Sequence, residues 1–156
     1  MYDTAEFMNS EKICVIVPTY NNSGTIADVL SRIYRITQNI IVVNDGSDDD
    51  THRILQDIGF PLTVVEYKHN RGKGYALKCG FRKALSMGFN NAVTIDSDGQ
   101  HFASDIPIFM EEIEKEPDTL LVGARNLTSD NMPGKNTFAN KFSNFWFKLE
   151  TGVKLQ

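Results

Sequence analysis

The chain is poor in cysteine and tryptophan, with two of the first and one of the second in 156 residues, and it has no run of lysine or arginine. Each scarcity excludes something. Cys14 sits in an apolar run and Cys79 in a predicted helix; a pair so placed is no disulfide framework and reads as two free buried thiols, which fits a reducing, cytoplasmic setting. A membrane-spanning helix needs about 20 consecutive apolar residues, and no run approaches that length. The opening residues, Met1 to Glu6, lack the basic start and apolar core of a leader. A formal net charge of −4 without a basic cluster argues against nucleic acid as a partner, although single Lys and Arg side chains can still meet an anionic ligand. Repeats and low-complexity segments are absent.

What the chain does have is enough apolar residue, 41%, for one proper core. Continuous β-branched runs at Ile13–Val17, Ile40–Val43, Leu62–Tyr67, Ala92–Ile95 and Thr119–Val122 predict strands covered on both faces. Between them, spacings near 3.6 predict helices over Thr25–Ile36, Asp49–Ile58, Gly74–Met87 and Ser104–Lys115, the last with Ser104, Asp105 and Pro107 at its start. The alternation predicts a three-layer α/β/α fold with a mostly parallel, Rossmann-like sheet. Such sheets bind ligands beyond the carboxyl ends of their strands. That rule selects 18–22, 44–50, 69–74, 96–101 and 123–125, every one polar, charged or glycine-bearing.

The most informative of these loops follows the fourth run. Asp96 and Asp98 are spaced so that both can point the same way as a strand opens out. Two carboxylates that close repel unless a cation lies between them, and Mg²⁺ or Mn²⁺ suits oxygen ligands of this kind. A plain polar turn is the rival reading. His101 suits a hard ion less well and is placed behind the ligands. In the first loop, Pro18, Tyr20, Asn21 and Asn22 offer an aromatic ring and two amides to a base or ribose, or simply end a strand. Asp45 at a strand end suits a nucleobase N–H or ribose hydroxyls, while Ser47 or Asp48 is expected to cap the next helix. Asp48, Asp49 and Asp50 read as complementing that helix's dipole. Lys73 between Gly72 and Gly74 suits a phosphate, Arg71 reads as a solvated turn cation, and Arg125 can reach a diphosphate with its planar fork. His52 and His69 are given no role.

Taken in order, PTYNN (18–22), VVNDGSDDDT (42–51), HNRGKGYALKCGF (69–81), TIDSDGQH (94–101) and VGAR (122–125) resemble the successive signatures of family 2 glycosyltransferases. The DSDGQH form is similar to the polyprenyl-phosphate branch, typified by dolichyl-phosphate mannose synthases. The resemblance covers roughly residues 11 to 130 and implies a GT-A fold. It also implies inverting transfer of a sugar from a GDP- or UDP-sugar donor, assisted by Mg²⁺ or Mn²⁺, to polyprenyl phosphate in cell-envelope glycan biosynthesis; a glycan hydroxyl is the alternative acceptor. On that likeness Pro18, Tyr20, Asn22 and Asp45 hold the nucleoside and Lys73 lies near the nucleotide. Asp96 contacts the nucleotide side, while Asp98 and Gln100, with Asp96 beside them, carry the metal. Asp98 and Arg125 are the catalytic pair, Arg125 on the donor or acceptor phosphate. Two departures stand out. Asn22 replaces the usual Glu, and the chain ends where relatives approach their acceptor elements.

The implied organisation is an N-terminal tail (1–10), a nucleotide-sugar-binding domain (11–130) and the truncated start of an acceptor-side region (131–156). Membrane contact would then be peripheral or lie beyond the chain, at the inner face of the membrane. A nucleotidyltransferase is disfavoured because 18–24 is no glycine-rich loop, and a non-catalytic nucleotide-sugar-binding module is the rival of another class. Phe138, Phe142, Phe145, Trp146 and Leu149 form one helical stripe that either packs on the sheet or drives homodimers through 138–149.

Overall fold

The computed structural model describes residues 3–116 and 119–123. Four parallel strands, β1 (Ile13–Thr19), β2 (Ile40–Asn44), β3 (Thr63–Glu66) and β4 (Asn91–Thr94), lie in the order β3-β2-β1-β4. The chain builds outward from β1 through β2 to β3, then crosses back to place β4 on the other side of β1. Every residue of β1 and β2 is buried, as two-sided cover demands, and edge strands β3 and β4 are only partly so.

Strand alternation splits the core in two. Ile13, Val15 and Val17 of β1, with Ile40 and Val42 of β2, face α1 (Thr4–Ser10), α2 (Ile26–Tyr34), α3 (Thr51–Asp57) and α5 (Ile106–Lys115). Cys14, Ile16, Ile41 and Val43 face α4 (Lys73–Ser86). Burial pushes the Cys14 thiol up to about 11, and both cysteines are free as expected, but only Cys14 is buried and Cys79 is half-buried. Helix α2 buries Ile26, Val29, Leu30 and Ile33 at helical spacing. Helix α4 instead buries Ala76, Gly80 and Ala84. A Cβ on Gly80 would lie 2.6 Å from the Ile16 Cγ2, so the missing side chain brings α4 close to the sheet.

Two expectations need correcting. Residues 119–122 carry no strand, although their β-branched composition suggested one. Residues 4–10, set aside as a tail, form α1: the Asp3 carboxylate accepts from the N–H groups of Ala5 and Glu6, and Met8 is fully buried. A short capped helix with one or two apolar residues shows no periodicity that sequence reading can use. The last predicted helix is divided, with a 3₁₀ turn at Ala103–Asp105 ahead of α5. The stripe 138–149 lies outside the described residues. No helix among the described residues is long and apolar enough to cross a membrane.

Candidate functional site

Because β4 returns beside β1, the carboxyl ends of β1 and β4 diverge into a topological switch point. A cleft of about 270 Å³ opens there, and its lining includes Pro18, Tyr20, Asn22, Asp45, Lys73, Asp96 and Asp98. Those are seven of the predicted site residues, drawn from four separate loops. Gln100 is exposed in the Asp96–His101 loop but outside the cleft lining, and Arg125 lies outside the described residues.

Asp45 is 3% exposed at the end of β2. Its N–H donates to the Thr19 carbonyl at 2.8 Å, which ties the ends of β1 and β2 together. Its Oδ1 accepts from the Arg71 N–H at 2.8 Å. The Tyr67 hydroxyl is buried near it; burial, then hydrogen bonding and charge from the Asp45 carboxylate, push that phenol above its ordinary value. Gly46 makes the turn possible. Its φ is +69°, and a Cβ there would fall 2.5 Å from the His69 carbonyl carbon. Arg71 is therefore no free turn cation. Its backbone serves Asp45, and its guanidinium lies 4.2 Å from the centroid of the Tyr75 ring and donates to the Tyr75 hydroxyl at 2.7 Å.

Lys73 opens α4, and its ammonium is 2.7 Å from the Asp96 carboxylate. Asp96 donates its own N–H to His101 Nδ1 at 3.1 Å, so the imidazole folds the loop back on the end of β4. A neutral His101 accepting there carries its proton on Nε2. Asp98 Oδ1 accepts from the Gln100 N–H at 2.9 Å, a local turn completed by Gly99 at φ +79°. The donor set fits a hard divalent cation. Asp96 and Asp98 line the cleft two residues apart, and among the described residues no group of three or more Asp, Glu, His or Cys is placed to hold a metal ion. Such an ion takes one or two carboxylates and fills its remaining positions with substrate phosphate and water.

Asn22 lines the cleft yet is also a bridge. Its Nδ2 donates to the Ser97 hydroxyl at 2.7 Å, and its N–H donates to Thr51 Oγ1 at 3.2 Å. The Thr25 hydroxyl donates to the Ser97 carbonyl at 2.6 Å, so the first and fourth loops are stitched together. Neither Ser47 nor Asp48 caps α3, contrary to expectation. Ser47 Oγ accepts from the Asn21 N–H at 3.0 Å, and Asp48 Oδ1 accepts from Asn21 Nδ2 at 2.6 Å. The N-cap position falls to Asp50, whose side chain makes no capping bond, while Asp49 just before it accepts from the N–H groups of Thr51 and Ser23. Burial raises its pKa, but the bonds from Thr51 and Ser23 outweigh that and hold it at about 2. Asp50 pairs with Arg53, so the acidic run makes three separate contacts and is not a uniform dipole complement.

Comparison with known proteins identifies what this architecture resembles. The Glycosyl transferase family 2 profile matches residues 14–154. A UDP-N-acetylglucosamine–dolichyl-phosphate N-acetylglucosaminyltransferase of Methanococcus voltae is 30% identical over 76% of this chain and 53% of its own length. A polyprenol monophosphomannose synthase of Mycolicibacterium smegmatis is 26% identical over 97% and 60%. The chain thus spans a little over half the length of these relatives. Among solved structures, glucosyl-3-phosphoglycerate synthase from Mycobacterium tuberculosis, in complex with Mn²⁺, UDP-glucose and phosphoglyceric acid, superposes with a TM-score of 0.53. It is 26% identical over 67% of this chain and 40% of that one.

Proposed function

This chain belongs to glycosyl transferase family 2, and from that premise we propose that it binds a nucleotide-sugar donor for inverting transfer to a polyprenyl phosphate. The observation that carries the reading is the convergence of an aromatic ring, a buried carboxylate, an ammonium and two further carboxylates in one cleft at the switch point. Two relatives that act on dolichyl phosphate or make polyprenol monophosphomannose support the acceptor class. The donor-binding domain is assigned to 11–130, with α1 packed against its core, and the acceptor-side region to 131–156.

In this reading the Tyr20 ring lies against the nucleobase, and Asp45, held by the Arg71 N–H, accepts from the base or ribose. Asn22 keeps the Tyr20 loop joined to Ser97, and Pro18 fixes the backbone where β1 runs into that loop. Lys73 turns from Asp96 to the donor diphosphate. A divalent cation held by Asp98, Asp96 and Gln100 would neutralise charge on the departing nucleotide. The acceptor oxygen forms its bond to the anomeric carbon from the face opposite the diphosphate, whose C–O bond breaks as the nucleoside diphosphate leaves. A phosphate acceptor is already anionic and needs no general base. Arg125 is assigned to one of the phosphates. The acceptor places the reaction at a membrane surface, on its cytoplasmic side.

Titration calorimetry with GDP, UDP and their sugars, with and without Mn²⁺, tests the proposal. Binding should tighten with Mn²⁺, and Asp98→Asn should remove that increment while leaving the unfolding transition unchanged. A mutant that keeps its Mn²⁺ dependence overturns the metal assignment. A wild type that binds no nucleotide overturns the donor reading.

A further inference from the structure

Asn21 is the member of the first loop that does not line the cleft, yet it makes the most specific contacts there. Its φ is +52°, a left-handed conformation that asparagine tolerates better than most residues with a side chain. From that position its amide makes a reciprocal pair with Asp48. Nδ2 donates to Asp48 Oδ1 at 2.6 Å, and Oδ1 accepts from the Asp48 N–H at 3.0 Å. Its own N–H donates to Ser47 Oγ at 3.0 Å, and Ser47 in turn donates its N–H to Asn44 Oδ1 at 3.1 Å. The next two residues continue the seam, Asn22 to Thr51 and Ser23 to Asp49.

This seam joins the loop after β1 to the loop after β2. The same two loops present Tyr20 and Asp45, each within three residues of the Asn21–Asp48 pair, to the cleft lining. Tyr20 is 43% exposed, so packing alone does not fix its ring. The Asp45 carboxylate is held by the Arg71 N–H from the loop after β3, while its backbone N–H donates to the Thr19 carbonyl next to Tyr20. We infer that the reciprocal Asn21–Asp48 pair sets the spacing of Tyr20 and Asp45, and so acts as a positioning pair for the nucleoside of the donor. This rests on the proposed donor reading. It assigns the pair no contact with ligand, and it separates the grip on the nucleoside from the grip on the diphosphate, which belongs to Lys73, Asp96 and Asp98.

The pair is nearly symmetric in its chemistry, which supplies a sharp test. Asp48→Asn leaves an oxygen to accept from Asn21 Nδ2, so it should change affinity for UDP or GDP by less than about threefold. Asn21→Asp puts two carboxylates face to face and should weaken nucleoside diphosphate binding about tenfold or more. The swapped double variant, Asn21→Asp with Asp48→Asn, restores a donor–acceptor pair and should return affinity to within about threefold of wild type.

Calorimetry on these variants and the wild type, with UDP, GDP and Mn²⁺–pyrophosphate, reads the result. Pyrophosphate lacks the nucleoside, so its affinity should stay level across the series. Asn21→Asp weakening pyrophosphate as much as UDP and GDP would mean general damage to the site and overturn the inference. So would failure of the swap to rescue, or unchanged nucleotide affinity in Asn21→Asp. A wild type that binds pyrophosphate but neither nucleotide removes the donor reading and this inference together. Hydrogen exchange at the Asn21 and Asp48 amides, both donors in the seam, keeps the test open if binding is weak. Protection should fall in Asn21→Asp and return in the swap, and equal protection throughout overturns the pair as a clamp.

Discussion

The Lys73 ammonium lies 2.7 Å from the Asp96 carboxylate, joining the first turn of α4 to the loop after β4 at the rim of one cleft. The pair is partly exposed, so its own contribution to stability is small. Its consequence is for ligands. In the proposed reading a cation approaching Asp96 would compete with Lys73, and an arriving diphosphate would draw Lys73 away, so phosphate and metal should favour one another's binding.

Lys73→Met should separate those effects. Without nucleotide, affinity for Mn²⁺ should rise about fivefold, the most an exposed ion pair of ~1 kcal/mol can withhold. Affinity for nucleoside diphosphate should fall in the same variant. Electron paramagnetic resonance titration of free Mn²⁺ measures the first and calorimetry the second. Weaker Mn²⁺ binding in the mutant would mean that Mn²⁺ and Lys73 do not compete for Asp96.

Gly46→Ala should destabilise the fold by about 2–4 kcal/mol. The left-handed backbone disfavours any side chain, and the new Cβ would fall 2.5 Å from the His69 carbonyl carbon, which is backbone and cannot swing aside. Urea denaturation checks it. A midpoint equal to wild type would mean the loops after β2 and β3 separate freely, and Asp45 with them.

Asp49 makes a prediction about acid. Its folded pKa of about 2 lies below the unfolded value near 4, so the carboxylate contributes stability that is fully present above about pH 4 and is lost as pH falls through 2. Asp49→Asn should therefore be less stable than wild type at pH 7, and the gap should narrow steadily between about pH 4 and pH 2. A gap that stays constant with pH would show that hydrogen bonding, not charge, is what Asp49 supplies to Ser23 and Thr51.

Much of the molecule was legible in its order of residues. The strands at Ile13 and Ile40 announced themselves because they are buried on both faces, a condition that leaves a continuous β-branched run. The alternation with helices fixed the fold class, the rule about carboxyl ends selected the loops, and the family resemblance picked from them Pro18, Tyr20, Asn22, Asp45, Lys73, Asp96 and Asp98, all of which the cleft brings together. The run at 119–122 misled because β propensity describes fitness for a pleated, half-buried surface and does not guarantee a neighbouring strand. Helix α1 was missed because its reasons, the Asp3 cap and the burial of Met8, are a local hydrogen bond and a distant contact.

The sequence by itself determined which residues could do chemistry and on which loops they stand, because strand and helix periods and the end of each strand are local properties. Only the tertiary structure decided how those residues are held. It set Lys73 on Asp96, turned Ser47 and Asp48 from expected caps into partners of Asn21, put the Ser23 N–H on Asp49, spent the Asn22 amide on Ser97 and recruited the Arg71 backbone to Asp45. Such pairings join residues 23 to 75 positions apart in the chain. They form where the loops at one edge of a parallel sheet crowd together, and a polar side chain there takes whichever partner the folded chain brings within about 3 Å.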